Sequence, residues 1–103
     1  MPSPHTRIFF DCDLLIIDDL GTELSNSFTT SQLFLCLNER ILRQKSTIIS
    51  TNLNMNQVAD IYSERVLSRI MTYYTIIKLF GEDNSLVKNV FIDALNIPLF
   101  SIY

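Results

Sequence analysis

The stretch DLLIIDD, at residues 13–19, decides the predicted fold of this 103-residue chain. Four consecutive apolar residues between acids are too few for a free-standing helix. They are typical of a strand buried on both faces, as in a parallel sheet. The carboxylates that end this strand, Asp18 and Asp19, would then lie at the carboxyl edge of the sheet, where α/β proteins bind ligands. A strand that simply ends in two solvated acids is the ordinary alternative.

Helix and strand patterns alternate along the chain after this strand. Thr29 and Gln32 form a capping-box pattern ahead of an apolar stripe with four-residue spacing, which predicts a helix. STIISTN at residues 46–52 predicts a second strand, and YYTIIKLF at residues 73–80 predicts a third. Two short helices are predicted between these strands. The alternation predicts an α/β fold whose parallel strands are joined by helical crossovers.

Length and composition exclude several classes of site. The chain is long enough for one small domain. Its two glycines, Gly21 and Gly81, stand far apart, so neither a phosphate-binding loop nor a dinucleotide fingerprint exists in this sequence. A single histidine and two cysteines without close spacing do not make a zinc site.

Charge and hydropathy narrow the possible partners. The formal net charge is −3, so no broad basic field indicates direct nucleic-acid binding. No apolar run approaches the ~18 residues of a membrane span, and no signal peptide pattern opens the chain. We therefore expect a cytoplasmic protein with no membrane partner. The low charge and the 48% hydrophobic content suggest that part of the protein surface is covered by other protein.

Two further groups of residues are candidates for chemistry. Ser50, Thr51 and Asn52 end the second strand at the same predicted edge as the acids, where an amide can hold a water or a phosphate oxygen. Arg65 and Arg69 stand four apart in a predicted helix and so share one face, from which they can reach phosphate. Ordinary turn chemistry and a solvated basic stripe are the alternatives for these two groups.

The ordered set of segments resembles the C-terminal part of an AAA+ ATPase core. The likeness is to the bacterial helicase-loader group (DnaC/DnaI type) and to the related IstB transposition helpers. It is carried by CDLLIIDDLGTE from Cys12, STIISTNL from Ser46, SERVLSRI from Ser63 and KLFGED from Lys78. It implies a partial parallel P-loop NTPase sheet, with ATP and Mg²⁺ as cofactors and a replicative helicase and DNA as partners.

The resemblance also implies a role for each matching residue. Asp18 matches the Walker B aspartate that supports Mg²⁺. Asp19 stands where the family has its water-activating acid. Asn52 matches sensor 1, which positions the attacking water near the γ-phosphate. Arg69 is the best match to the arginine finger that acts on a neighbouring subunit's nucleotide, and Arg65 is the second choice.

Departures from the family pattern divide the chain into three parts. Residues 1–9 are a lead-in, residues 10–84 carry the resemblance, and residues 85–103 are a divergent apolar tail. The Walker A half, which holds the phosphate loop, is absent, so we expect a fragment or truncated product that binds nucleotide weakly or not at all. The family's sheet order is 5-1-4-3-2. The strand at residues 73–80 therefore needs a substitute partner: the preceding strand, the tail or another chain.

Several functions stay open on this reading. The leading hypothesis is a fragment of an ATP-binding DNA-replication protein of the helicase-loader type. The alternatives are a non-catalytic interaction module, an IstB-like transposition helper, and a small α/β domain with an unrelated phosphate or metal function at Asp18 and Asp19. An uncovered apolar face would favour self-association or a partner chain that completes the sheet.

Overall fold

The computed structural model describes residues 9–21 and 28–93. The predictions for residues 1–8, for the loop after Gly21 and for the end of the tail lie outside the described residues. The described part is a mixed α/β structure in which helical residues 9–11 are followed by four strands and three helices that alternate as expected. These elements are β1 (Leu14–Ile17), α1 (Thr30–Leu42), β2 (Ser46–Thr51), α2 (Met55–Tyr62), α3 (Glu64–Tyr73), β3 (Tyr74–Phe80) and β4 (Leu86–Asp93).

Polar side chains set the beginnings of the three helices. The Thr29 hydroxyl accepts from the Gln32 backbone N–H, and the Gln32 side chain accepts in return from the Thr29 N–H. Asn54 and Gln57 form the same reciprocal pair before α2. Ser63 ends α2 and begins α3. These caps satisfy backbone N–H groups that the first turn of a helix leaves unpaired, and the Thr29–Gln32 pair was predicted from the sequence.

The strands form an open sheet in the order β1-β2-β4-β3. Strands β1 and β2 pair in parallel, as predicted. The expectation of an all-parallel sheet is wrong for β4, which runs antiparallel to both β2 and β3. The physical reason is the short turn at residues 81–85, closed by a bond from Gly81 N–H to Ser85 O of 2.7 Å. A parallel connection needs a crossover of a dozen or more residues.

Strand β4 is the partner with which β3 pairs in the sheet. Of the three possibilities, the tail supplies the strand, because residues 86–93 pair with β3 along its length. The same residues also pair with the end of β2. The predicted tail therefore contributes the strand that joins β3 to the rest of the sheet.

The helices pack on one face of the sheet and form the core there. Leu15 and Ile17 point into this core, whereas Leu14 and Ile16 are 51% and 61% exposed. The prediction that β1 is buried on both faces is wrong, because no helix of residues 9–21 and 28–93 covers the opposite side. We call that side the open face; the strand register places on it Leu14, Ile16, Ile48, Ile77, Val90 and Ile92.

Candidate functional site

The two acids after β1 are tied to the end of β2. Ser50 Oγ donates a hydrogen bond to Asp18 Oδ1 at 2.5 Å and accepts one from the Asp19 backbone N–H at 3.1 Å. The Leu20 N–H donates to the Ser50 carbonyl at 2.9 Å. Asp19 has a φ of 55°, a left-handed conformation that aspartate tolerates better than most residues. The parallel pairing of β1 and β2 thus brings the predicted acids and Ser50 together.

Lys88 of β4 completes this cluster. Its Nζ lies 2.7 Å from Asp19 Oδ1 and 3.8 Å from Asp18 Oδ1. Because β4 is antiparallel, its first residues lie at the carboxyl edge of β2, where Asn89 pairs with Thr51. Sequence reasoning missed Lys88, since nothing in the local sequence reveals the direction of the strand that carries it.

The electrostatics of the cluster follow from these contacts. The hydrogen bond from Ser50 is the main cause that lowers the pKa of Asp18, and the charge of Lys88 adds to it. The hydrogen bond with Asp19 is the main cause that raises the pKa of Lys88. Each shift favours the charged form. The Asp18 side chain is 72% exposed, so solvent screens the pair strongly.

The Mg²⁺ implied by the resemblance does not fit this arrangement. Mg²⁺ takes oxygen ligands, usually one or two carboxylates and several waters. Here an ammonium group already lies against the same carboxylate oxygens. Within residues 9–21 and 28–93, no group of three or more His, Cys, Asp or Glu side chains could hold a metal ion.

Asn52 lies at the same edge, one residue beyond the end of β2, and its side chain is exposed. The backbone around it is held in place. The Leu53 N–H donates to Thr51 Oγ1 at 3.1 Å, and Asn89 Nδ2 donates to the Leu53 carbonyl at 2.9 Å. The structure therefore positions the backbone of Asn52 through its two neighbours.

Arg65 and Arg69 lie on the helical layer, against α1. Their guanidinium carbons stand 4.1 Å and 5.7 Å from the centre of the Phe34 ring, which is the geometry of cation–π contacts. The shared helix face predicted from their spacing is present. In the structure both arginines meet at Phe34, and the role of arginine finger would require a neighbouring subunit.

A second polar cluster lies at the opposite, amino edge of the parallel strands. Arg40 of α1 is fully buried, and its guanidinium donates to Thr47 Oγ1 at 2.8 Å and to the Ser46 carbonyl at 2.6 Å. It also donates to the Phe9 carbonyl at 2.8 Å and to Cys12 Sγ at 3.3 Å. The only sequence signal for the burial of Arg40 is its position on the apolar face of α1, seven residues after Leu33.

Comparison with known proteins adds no relative. No protein-family model, curated protein or solved structure matches this chain. The resemblance to helicase loaders therefore rests on the motifs of the sequence. Among the helices of the described residues, none is long and apolar enough to cross a membrane.

Proposed function

We propose that this chain is a divergent relative of the helicase-loader type of AAA+ ATPase core and acts as a non-catalytic interaction domain. The order of its elements supports the relationship. Strand β1 ends in two acids, its parallel neighbour β2 ends in polar residues, and two short helices lead to β3. These are the relative places that the resemblance gives to the Walker B strand, the sensor 1 strand and the last core strand.

The position of β4 is the observation that carries the non-catalytic part of the proposal. In the family's sheet order, the place between the strands that correspond to β2 and β3 belongs to the strand that leads into the phosphate loop. Here β4 lies in that place and is hydrogen-bonded to both neighbours. Since β4 runs antiparallel, its carboxyl end lies at the edge opposite to Asp18 and Asp19. A phosphate-loop strand would have to displace β4 to pair there.

The open face supports a role in protein contacts. Its side chains include Ile16, which is 61% exposed, and Ile77, which is 42% exposed. Contiguous apolar side chains on a surface mark sites of interaction with other proteins. A partner chain or a second copy of this chain would bury them, and the resemblance points to a replicative helicase as the partner, with DNA contacted through it.

Nucleotide binding by the full chain tests the non-catalytic part. We expect no saturable binding of ATP with Mg²⁺ up to about 1 mM, the upper end of ordinary enzyme KM values. Isothermal titration calorimetry measures this directly. Micromolar affinity that requires Mg²⁺ and is lost in Asp18→Ala would contradict the proposal, because the acids would then serve nucleotide chemistry.

Co-purification with the replicative helicase of the organism that encodes this chain tests the partner. We expect a stable complex that Ile16→Glu weakens by about tenfold or more, since a buried charge opposes an apolar contact. Leu42→Glu is the matched control, because Leu42 is 70% exposed on α1, away from the open face. A chain that binds a transposase instead of the helicase would support the IstB-like alternative and contradict the helicase-loader proposal.

A further inference from the structure

Lys88 lies where a cation bound by the acid pair would lie. Its ammonium group makes an ion pair at 2.7 Å with Asp19 and a second, at 3.8 Å, with Asp18. We propose that Lys88 is a tethered substitute for a divalent cation, which closes this acid pair to Mg²⁺. The inference rests on the proposed function only in treating Asp18 and Asp19 as a former Walker B pair.

The lysine is held in this position by the strand that carries it. Strand β4 is hydrogen-bonded to neighbours on both sides, so the backbone at Lys88 cannot move independently of the sheet. Asn89, the next residue, is 1% exposed and donates to the Leu53 carbonyl. The Lys88 side chain itself is only 28% exposed. The inner strand β4 therefore positions the Lys88 ammonium group beside the acids.

The acids are positioned by hydrogen bonds to the end of β2. Ser50 holds the Asp18 carboxylate and the Asp19 backbone with a single hydroxyl group. The Leu20 N–H adds a backbone bond to the Ser50 carbonyl. The end of β1 thus contributes two members of the cluster, and β2 and β4 contribute one each, so no strand can withdraw without disturbing the pairing of the sheet.

Lysine and a divalent ion exclude each other here. Mg²⁺ bound to a carboxylate oxygen lies about 2.0–2.1 Å from it and requires nearly ideal octahedral ligands, all with lone pairs. An ammonium group has three donors and no lone pair, so it occupies space beside the oxygen and offers no ligand. The ammonium group and the metal ion are both positively charged, so they also repel each other beside one carboxylate. Removal of the lysine charge would end both this obstruction and this repulsion beside the acids.

Mn²⁺, as a spectroscopic substitute for Mg²⁺, tests the inference on the full chain. Electron paramagnetic resonance of free Mn²⁺ gives its dissociation constant for the wild type and for Lys88→Met. We expect Lys88→Met to bind Mn²⁺ about tenfold more tightly, because the variant lacks the positive charge beside the two carboxylates. Lys78→Met removes the same charge from the exposed neighbouring strand β3 and should leave Mn²⁺ affinity unchanged.

Further variants assign the effect to the cluster. Lys88→Arg keeps the charge and should show no gain, while Lys88→Gln repeats the test with a polar side chain if Lys88→Met does not fold. Asp19→Asn, added to Lys88→Met, should abolish the gain. Equal Mn²⁺ affinity of wild type and Lys88→Met, or an equal gain in Lys78→Met, would overturn the inference. The ATP titration of the wild type tests the proposed function separately, since either result can fail while the other holds.

Discussion

The two edges of this sheet each hold a basic side chain among polar strand ends, and the two clusters differ in burial. At the amino edge, Arg40 is fully buried and donates to backbone carbonyls and the Thr47 hydroxyl. At the carboxyl edge, Lys88 faces Asp18 and Asp19, and the Asp18 side chain is 72% exposed. Water can replace the bonds of the second cluster but not those of the first. The amino edge therefore contributes to stability, whereas the carboxyl edge is accessible to other molecules.

Arg40→Met gives the largest effect expected from this comparison. We expect the free energy of unfolding to fall by about 3 kcal/mol. The buried Thr47 hydroxyl and the partly buried carbonyls of Ser46 and Phe9 lose their donor at about 1–3 kcal/mol each, and removal of the buried charge offsets part of that loss. Chemical denaturation followed by circular dichroism measures the change.

Arg43→Met is the matched control for Arg40→Met. Arg43 lies just beyond the end of α1, pairs with Asp11 and Glu39, and has a side chain that is 42% exposed. Its removal should cost at most about 1 kcal/mol, as for other exposed ion pairs. Equal losses in the two variants would show that burial does not distinguish the amino edge.

Lys88→Met is expected to have the smallest effect on the free energy of unfolding. That effect should depend on pH. The pKa of Asp18 is lowered from 3.8 mainly by Ser50 and further by Lys88. The part due to Lys88, which the variant removes, is present above 3.8 and is lost as the pH falls through the folded-state pKa. The pKa of Lys88 is raised from 10.5, so its contribution is complete below that value and is lost as the pH rises through the folded-state pKa. The wild type should therefore exceed Lys88→Met in stability between about pH 5 and pH 10, and less so outside this range.

Thermal unfolding at a series of pH values checks this difference, and the variant Lys78→Met corrects for the change in net charge. High salt should shrink the difference, because exposed charges are screened. A difference that grows below pH 4 would contradict the assignment of Asp18 as a partner of Lys88.

Local sequence patterns predicted the helices and the parallel pair of strands. Capping residues such as Thr29 and Asn54 act within a few residues of their partners, so the sequence reveals them directly. The parallel pairing of β1 and β2 followed from the helix between them. The convergence of Asp18 with the end of β2 followed in turn from that pairing.

The direction of β4 could not be predicted in the same way. The tail from Val87 shows no clean hydrophobic period, and a strand can pair on either side of its neighbour. Its insertion between β2 and β3 depends on the turn at residues 81–85 and on the hydrogen-bonding edges that both strands leave open. The placement of Lys88 opposite Asp19 depends on that insertion, so it could not be predicted from the sequence either.

The sequence by itself determined the alternating α/β elements, their caps and the polar residues that end β1 and β2, because these depend on neighbours within a few positions. Only the tertiary structure decided which strand lies beside β2 and which face stays open. It also decided that Lys88 of β4 faces the acids. Those outcomes depend on contacts between residues far apart in the chain, such as Asp19 and Lys88, whose pairing has no local signature.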